Sequence, residues 1–331
     1  MKLAPSMGVL KRGSCVQVYY SPMLKNFGDI ANEDLYRFLT SRIPVTPNEA
    51  VAYDDLPRDD WWYASAAEVG RLKESPCYCS IGSIISFVKP VSGHHPRPVY
   101  WGCGVLDEKQ KLKTRPLKVL AVRGPNSVRY LRANGVLDTP KVFGDPGILF
   151  PGLYADVITD AQPKYPIGLI PHFMDKRRLD AAKLPSWVKL ISVAGRDAKH
   201  VIHDMLDCGV IVSSSLHGII AADALGIPSV HMIVGDKVVG GTVTDRFKFD
   251  DYELSIGSPR TPVLWTFDTG WTRTLAEDLI AKATVLDSSP LVRPLLDVCP
   301  FADDGRADAL ASAYDAAKLR LKTRVLPGIP Y

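Results

Sequence analysis

The 331-residue sequence has no long hydrophobic run. Its most apolar stretches, such as residues 81–88, fall far short of the roughly 20 residues a membrane-spanning helix needs. It has little excess charge: Lys and Arg number 40, Asp and Glu 36, a net of +4 spread along the chain. Nucleic-acid proteins concentrate basic residues on one patch, so no nucleic-acid partner is expected. It has six cysteines (Cys15, Cys77, Cys79, Cys103, Cys208 and Cys299), scattered through apolar surroundings. That fits a reducing compartment better than a disulfide framework. Cys77 and Cys79 have no second pair to complete a zinc site, so no structural metal is expected. The first twenty residues lack a continuous apolar core and a cleavage site, so a cytoplasmic protein without a secretory leader is expected. No repeat of fixed period and no low-complexity tract occurs.

What is present is an alternation of short β-branched runs with longer helical periodicity, which predicts an α/β protein with mostly parallel sheets. Strands are expected at 15–20, 79–81, 99–101, 118–122, 167–170, 188–193, 210–212 and 229–234. Helices are expected at 32–39, 126–134, 197–206, 216–225 and 303–324. In the last of these, Leu310, Tyr314, Ala317 and Leu321 fall on one face. The length suits about two domains. Pro and Gly become frequent over 146–166, which places the boundary there. The expected units are 1–155, 156–300, and a C-terminal amphipathic helix and tail over 301–331.

In parallel α/β sheets ligands bind beyond the carboxyl ends of strands, where helix N-termini favour anions. The turns at those positions therefore hold the candidates. In Val212-Ser213-Ser214-Ser215-Leu216-His217-Gly218 the three serines can cap the helix and donate to an anion, with His217 in the first helical turn and Gly218 leaving room. The plainer reading is a good N-cap followed by a buried His. In Val122-Arg123-Gly124-Pro125, Arg123 either grips an anion with parallel hydrogen bonds or closes the sheet end as a salt bridge. Asn26-Phe27-Gly28-Asp29 either orients sugar hydroxyls or forms a turn that caps the next helix. Gly82-Ser83 and Gly102-Cys103-Gly104 are small-residue turns, and the second lacks the third Gly of a dinucleotide fingerprint.

Asp145 (before Pro146) and His172 (after Pro171) stand as cleft or turn residues. Lys248 is a further candidate cation. His200 and His203 lack a third metal ligand, and His94 and His95 lie in a Gly/Pro loop. Trp61, Trp62 and Tyr63 either stack on a sugar or anchor a loop.

Taken together and in order, these turns resemble the polysaccharide pyruvyl transferase family, most closely its bacterial exopolysaccharide members. The matching segments are Asn26-Phe27-Gly28-Asp29, Gly82-Ser83, Trp101-Gly102-Cys103-Gly104, Val122-Arg123-Gly124-Pro125, Gly144-Asp145-Pro146-Gly147 and Ser213 to Gly218, within about residues 15–255. The resemblance implies two Rossmann-like lobes in a GT-B-like arrangement with the active site in the cleft between them. It implies transfer of pyruvate from phosphoenolpyruvate to two hydroxyls of a sugar, giving a cyclic ketal and phosphate. No metal or organic cofactor is required. The acceptor is a saccharide, often lipid-linked in bacterial members, which would bring peripheral contact with the inner membrane face.

On this resemblance His217 and Arg123 belong to the donor site as catalytic residues, with Ser213, Ser214, Ser215, Gly218, Gly124 and Lys248 around the donor. Asn26, Gly28, Asp29, Gly82, Ser83, Gly102, Gly104, Asp145 and His172 line the cleft or meet the acceptor. His217 is the expected general acid/base and Arg123 the expected anion clamp. Many relatives carry Arg where this chain has Ser215. The missing charge is expected from Arg196, Arg246 or Lys248. A GT-B glycosyltransferase using a nucleotide-sugar and a non-catalytic saccharide-binding protein are the rival readings.

Overall fold

The structure, a computed structural model, describes residues 15–19, 26–45, 74–90, 95–160, 162–172, 175, 184–195, 197–234, 238–239, 242–243, 246–265, 270–325 and 327–328. Trp61, Trp62, Tyr63, His94 and Arg196 lie outside the described residues.

The first half runs β1 (Cys15–Val18), α1 (Phe27–Leu39), β2 (Ile43–Val45), β3 (Pro76–Cys79), β4 (Arg97–Trp101), β5 (Lys118–Ala121) and α2 (Pro125–Ala133). A 3-10 turn over Pro146–Leu149 and the short α3 (Phe150–Leu153) close it. The second half runs β6 (Tyr165–Ile170), β7 (Val188–Leu190), α4 (Ala198–Leu206), β8 (Cys208–Ser213), α5 (Leu216–Leu225) and β9 (Ser229–Val234). A small antiparallel pair, β10 (Val238–Val239) and β11 (Thr242–Val243), precedes α6 (Phe247–Ile256) and β12 (Val263–Trp265). Three helices end the chain: α7 (Arg273–Lys282), α8 (Ser289–Asp297) and α9 (Arg306–Leu321).

Two five-stranded sheets result, ordered β2-β1-β3-β4-β5 and β12-β9-β8-β6-β7, and every pairing within them is parallel. Read from β7, the second order is second-first-third-fourth-fifth strand, the same as the first sheet. The repeat absent from the sequence is thus present in the topology. In each sheet the chain reverses its direction of winding between the first and third strands. These switch points, β1/β3 and β6/β8, are where open α/β sheets leave a crevice at their carboxyl edge.

Local sequence explains the central helix. All ten residues of α5, LHGIIAADAL, are buried, and its apolar character runs round the whole circumference. Gly226, at φ 69°, ends it in the left-handed conformation that a helix C-cap favours. The four residues expected on one face of α9 are all buried. That helix returns to pack on α1, α3 and α8. Just before it, Phe301 sits among Tyr36, Tyr78 and Trp101, with ring centroids 4.4, 5.2 and 5.2 Å away. One apolar cluster runs from Val16 through Ile170 and Ile219 to Leu321, joining the inner faces of both halves.

Several boundaries differ from expectation. The first helix begins at Phe27, not Asn32, because Phe27-Gly28-Asp29 is its opening turn. The strand expected at 79–81 is Pro76–Cys79, so Ile81 to Ser83 is loop beyond its end. Helices α6, α7 and α8 were not expected.

Candidate active site

The predicted turns converge on the carboxyl edges of the two sheets. Asn26 is the N-cap of α1, and Gly28 and Asp29 lie in its first turn. The second half holds this end of the helix: the Phe27 N–H donates to the Val193 carbonyl at 2.7 Å, and Asn26 bridges Ala194. Across from it, Ser215 caps α5 and His217 lies in its first turn. Neither N-cap side chain bonds into its own helix.

The imidazole of His217 fills the space a side chain at position 28 would occupy. A Cβ on Gly28 would overlap ring atoms Nδ1 and Cγ. The edge of Phe27 meets the same ring at 6.4 Å and 87°. Nε2 faces Asp145 Oδ2 at 3.8 Å. His217 is 7% exposed and Asp145 fully buried. Three buried polar atoms here have no hydrogen-bond partner: Asn26 Oδ1, Asp145 Oδ2 and His217 Nε2. Buried polar atoms are normally satisfied, and a cluster that is not calls for a ligand, a proton or a shift.

The other turns pack behind this point. Asp145 caps the 3-10 turn through Oδ1, which accepts from the Gly147 N–H at 2.9 Å. Gly102 packs against Pro146, and the Gly104 N–H donates to the Gly82 carbonyl at 2.9 Å. Gly144 donates to the carbonyls of Val122 and Arg123. The Cys103 thiol between them is pushed well up by burial, with Asp145 adding to the shift and Arg123 opposing it.

Arg123 makes the salt bridge. Its guanidinium is fully buried and donates to Asp251 Oδ2 at 3.1 Å, Ser83 Oγ at 2.7 Å and the Val105 carbonyl at 2.7 Å. Gly104 lies against its flat face. Asp251 also accepts from the Ser127 N–H at 2.9 Å and the Ser127 hydroxyl at 2.6 Å. The first turn of α2 thus binds an anion, and that anion is a carboxylate of α6. Gly124 allows it, since a Cβ there would collide with the Asp251 carbonyl. A donor molecule reaching Arg123 has to compete with this pair.

The serines divide. Ser213 Oγ lies 3.0 and 2.9 Å from the Ile170 and Ser215 carbonyls and accepts from the Ser215 N–H. Gly218 packs against it. Ser214 Oγ donates to Asp175 at 2.9 Å and accepts from the His172 N–H at 2.9 Å. The hydroxyls of Ser213 and Ser214 therefore serve the loop.

Of the candidate cations, Lys248 is buried in the first turn of α6, its ammonium 5.4 Å from the Phe249 ring centroid. Arg246 pairs with Asp250 at 2.8 Å and with the Arg260 carbonyl. His200 and His203 lie on α4. Among the described residues, His203, Asp204 and Asp207 form a cluster of ligating type, but Lys189 holds both carboxylates at 2.8 Å.

Sequence reasoning missed Asp251, Asp175 and His231. Asp251 had no local signal, because its partner lies on another sheet. Asp175 follows a strand end, which is the one cue that pointed to it. His231, in the middle of β9, stacks on Phe249 at 3.6 Å and 15°.

A sequence profile of polysaccharide pyruvyl transferases matches residues 26–236. The chain belongs to the polysaccharide pyruvyl transferase family. The match begins at Asn26 and spans the turns from there to Gly218, while α6 lies beyond its end. The chain is also similar to an uncharacterized protein of Acanthamoeba polyphaga mimivirus, 33% identical over 193 residues. The similar region is 57% of this chain and 63% of the viral protein. No solved structure matches the chain.

Proposed function

We propose that this member of the family transfers pyruvate from phosphoenolpyruvate to two hydroxyls of a sugar, forming a cyclic ketal and releasing phosphate. The observation that carries the reading is the position of His217: inside its own helix's first turn, on top of the first turn of α1, beside the unpartnered Oδ2 of Asp145. Two helix N-termini facing one spot favour a small dianion. In this reading the donor sits there, and the sheets form two Rossmann-like lobes in a GT-B-like arrangement whose crevices meet at the His217–Gly28 contact.

The reaction asks for few groups. A proton is added to C3 of the donor, making C2 electrophilic. One sugar hydroxyl gives up its proton and attacks C2, phosphate departs with a proton, and the second hydroxyl closes the ketal with loss of its own proton. His217 serves as the acid and base for these transfers. First-turn N–H groups of α5, and of α1 beyond Phe27, bind the donor anions, with Lys248 and Arg246 supplying charge in place of the Arg that many relatives carry at position 215. Asn26 and Asp29 meet the acceptor. Arg123 acts at one remove, by holding the Ser83 and Gly104 loops against Asp251.

The acceptor, by family likeness, is a sugar of an exopolysaccharide or of its lipid-linked precursor, met at the inner face of a membrane by a cytoplasmic enzyme. No helix among the described residues is long and apolar enough to cross a membrane. Phosphate release from phosphoenolpyruvate, measured over a panel of free and lipid-linked saccharides, tests the reading. His217→Ala is expected to lower turnover by ~10²–10⁴-fold. Thermal stabilisation by nucleotide-sugars but not by phosphoenolpyruvate would instead identify a glycosyltransferase. Saccharide binding without phosphate release from any donor would leave a binding protein.

A further inference from the structure

The contact between Asp145 and His217 has a direction. Asp145 is the N-cap of the Pro146–Leu149 turn, and its Oδ1 is fixed there by the Gly147 N–H at 2.9 Å. The carboxylate cannot turn away without losing that bond. Its second oxygen is therefore held toward the His217 ring, 3.8 Å from Nε2. Both atoms are buried and neither has a hydrogen-bond partner. The ring is confined from the opposite side by Gly28 and at its edge by Phe27. The gap is about 1 Å longer than a charge-assisted N–H···O bond. An unpaired oxygen on a buried carboxylate is costly, and an Nε2–H on the facing ring is a donor that would satisfy it.

We infer that Asp145 is a positioning residue that sets the tautomer of His217: it keeps the proton of the neutral ring on Nε2 and leaves Nδ1 as the nitrogen that exchanges a proton with the substrate. The inference about catalysis rests on the proposed pyruvyl transfer, while the tautomer itself does not. Asp145 touches no reacting atom. Its part is to fix which nitrogen faces the chemistry and how the ring is aimed, as a carboxylate behind a catalytic imidazole does elsewhere. The pairing joins the Gly-Asp-Pro-Gly turn of the first half to the Leu-His-Gly turn of the second, so it forms only when both crevices are in register.

The test is the ring ¹⁵N spectrum of the full chain labelled at histidine, with His217→Gln identifying the signals. The neutral wild-type ring is expected to carry its proton on Nε2. In Asp145→Asn the amide oxygen keeps the Gly147 N–H and its NH₂ faces the ring, so the proton is expected to move to Nδ1. With the ketal assay in hand, kcat in Asp145→Asn is expected to fall by at least ~10-fold with the donor KM nearly unchanged, and Asp145→Glu to recover part of the loss. A neutral wild-type ring protonated on Nδ1, or a ring spectrum unchanged by Asp145→Asn, overturns the inference. If Asp145→Asn does not fold, the wild-type spectrum alone decides. An Nε2–H ring in a protein that releases no phosphate with any acceptor keeps the pairing and removes the pyruvyl-transfer reading.

Discussion

Arg123 and Asp251, 128 positions apart, form a salt bridge at 3.1 Å in which both side chains are sealed from solvent. The pair ties the end of the first sheet to α6 of the second half. A buried ion pair of this kind contributes little net stability against an apolar alternative, but breaking it by removing one partner is costly. Arg123→Ala leaves the Asp251 carboxylate buried beside Ser127 alone. The expected loss is about 3–5 kcal/mol of unfolding free energy, read by denaturant titration. A variant that keeps its stability but binds phosphoenolpyruvate more weakly would return Arg123 to the role of a donor clamp.

Gly28→Ala places a methyl group where the His217 imidazole now lies. One of the two must move. Misplacing a catalytic group by about 1 Å can cost about 10²-fold in rate, and a loss of that order in kcat is expected. The midpoint of thermal unfolding should change much less than in Arg123→Ala, since no buried charge loses its partner. Steady-state kinetics beside a melting curve separates the two effects.

Glu253 lies on α6 with its carboxylate 1% exposed, and burial pushes its pKa up to about 7 from an ordinary 4.5, although Arg260 opposes the shift. A raised folded-state value means that the folded chain binds the proton more tightly than the unfolded chain. The stability this supplies is complete below about pH 4.5 and is lost as the pH rises through 7. Glu253→Gln keeps an acceptor for the Arg260 N–H, which now donates to Oε2 at 2.8 Å. Relative to wild type, the variant is expected to gain up to about 3 kcal/mol between pH 4 and pH 8. Parallel urea curves at the two pH values check the sign, and equal differences at both would refute it.

Trp101 is fully buried at the end of β4, and its indole Nε1 donates to the Leu295 carbonyl at 2.8 Å. This bond and the edge contact with Phe301 fasten the C-terminal helices to the first sheet. Trp101→Phe keeps an aromatic ring but leaves the Leu295 carbonyl unsatisfied, at an expected cost of about 1–3 kcal/mol. Limited proteolysis should then cut first within 298–305, between α8 and α9. An unchanged cleavage pattern and melting temperature would show that the ring, and not the bond, does the fastening.

The α/β class, most of the strands and the buried face of α9 were legible because side-chain periodicity is a local record of burial. The order of the turns from Asn26 to Gly218 was legible too, since Gly, Ser, Asn and Asp collect where the backbone turns into a helix start. Three things that bear on Arg123 and His217 were not. Helix α6 escaped because its buried residues include Lys248, Asp251 and Glu253, which read as a solvated face. The opening turn of α1 read as a loop, because Gly28 has poor helix propensity and is there to admit a ring from another helix. The partner of Arg123 escaped because an ion pair between distant elements has no sequence spacing.

By itself the sequence determined the α/β class and which turns hold the candidate residues, because both rest on local backbone preference and burial period. Only the tertiary structure decided that the two sheets share one strand order, that Arg123 meets Asp251, and that His217 rests between Gly28 and Asp145. Those pairings depend on how two carboxyl edges dock, and a through-space distance between far-apart residues is set by the packing of everything that lies between them.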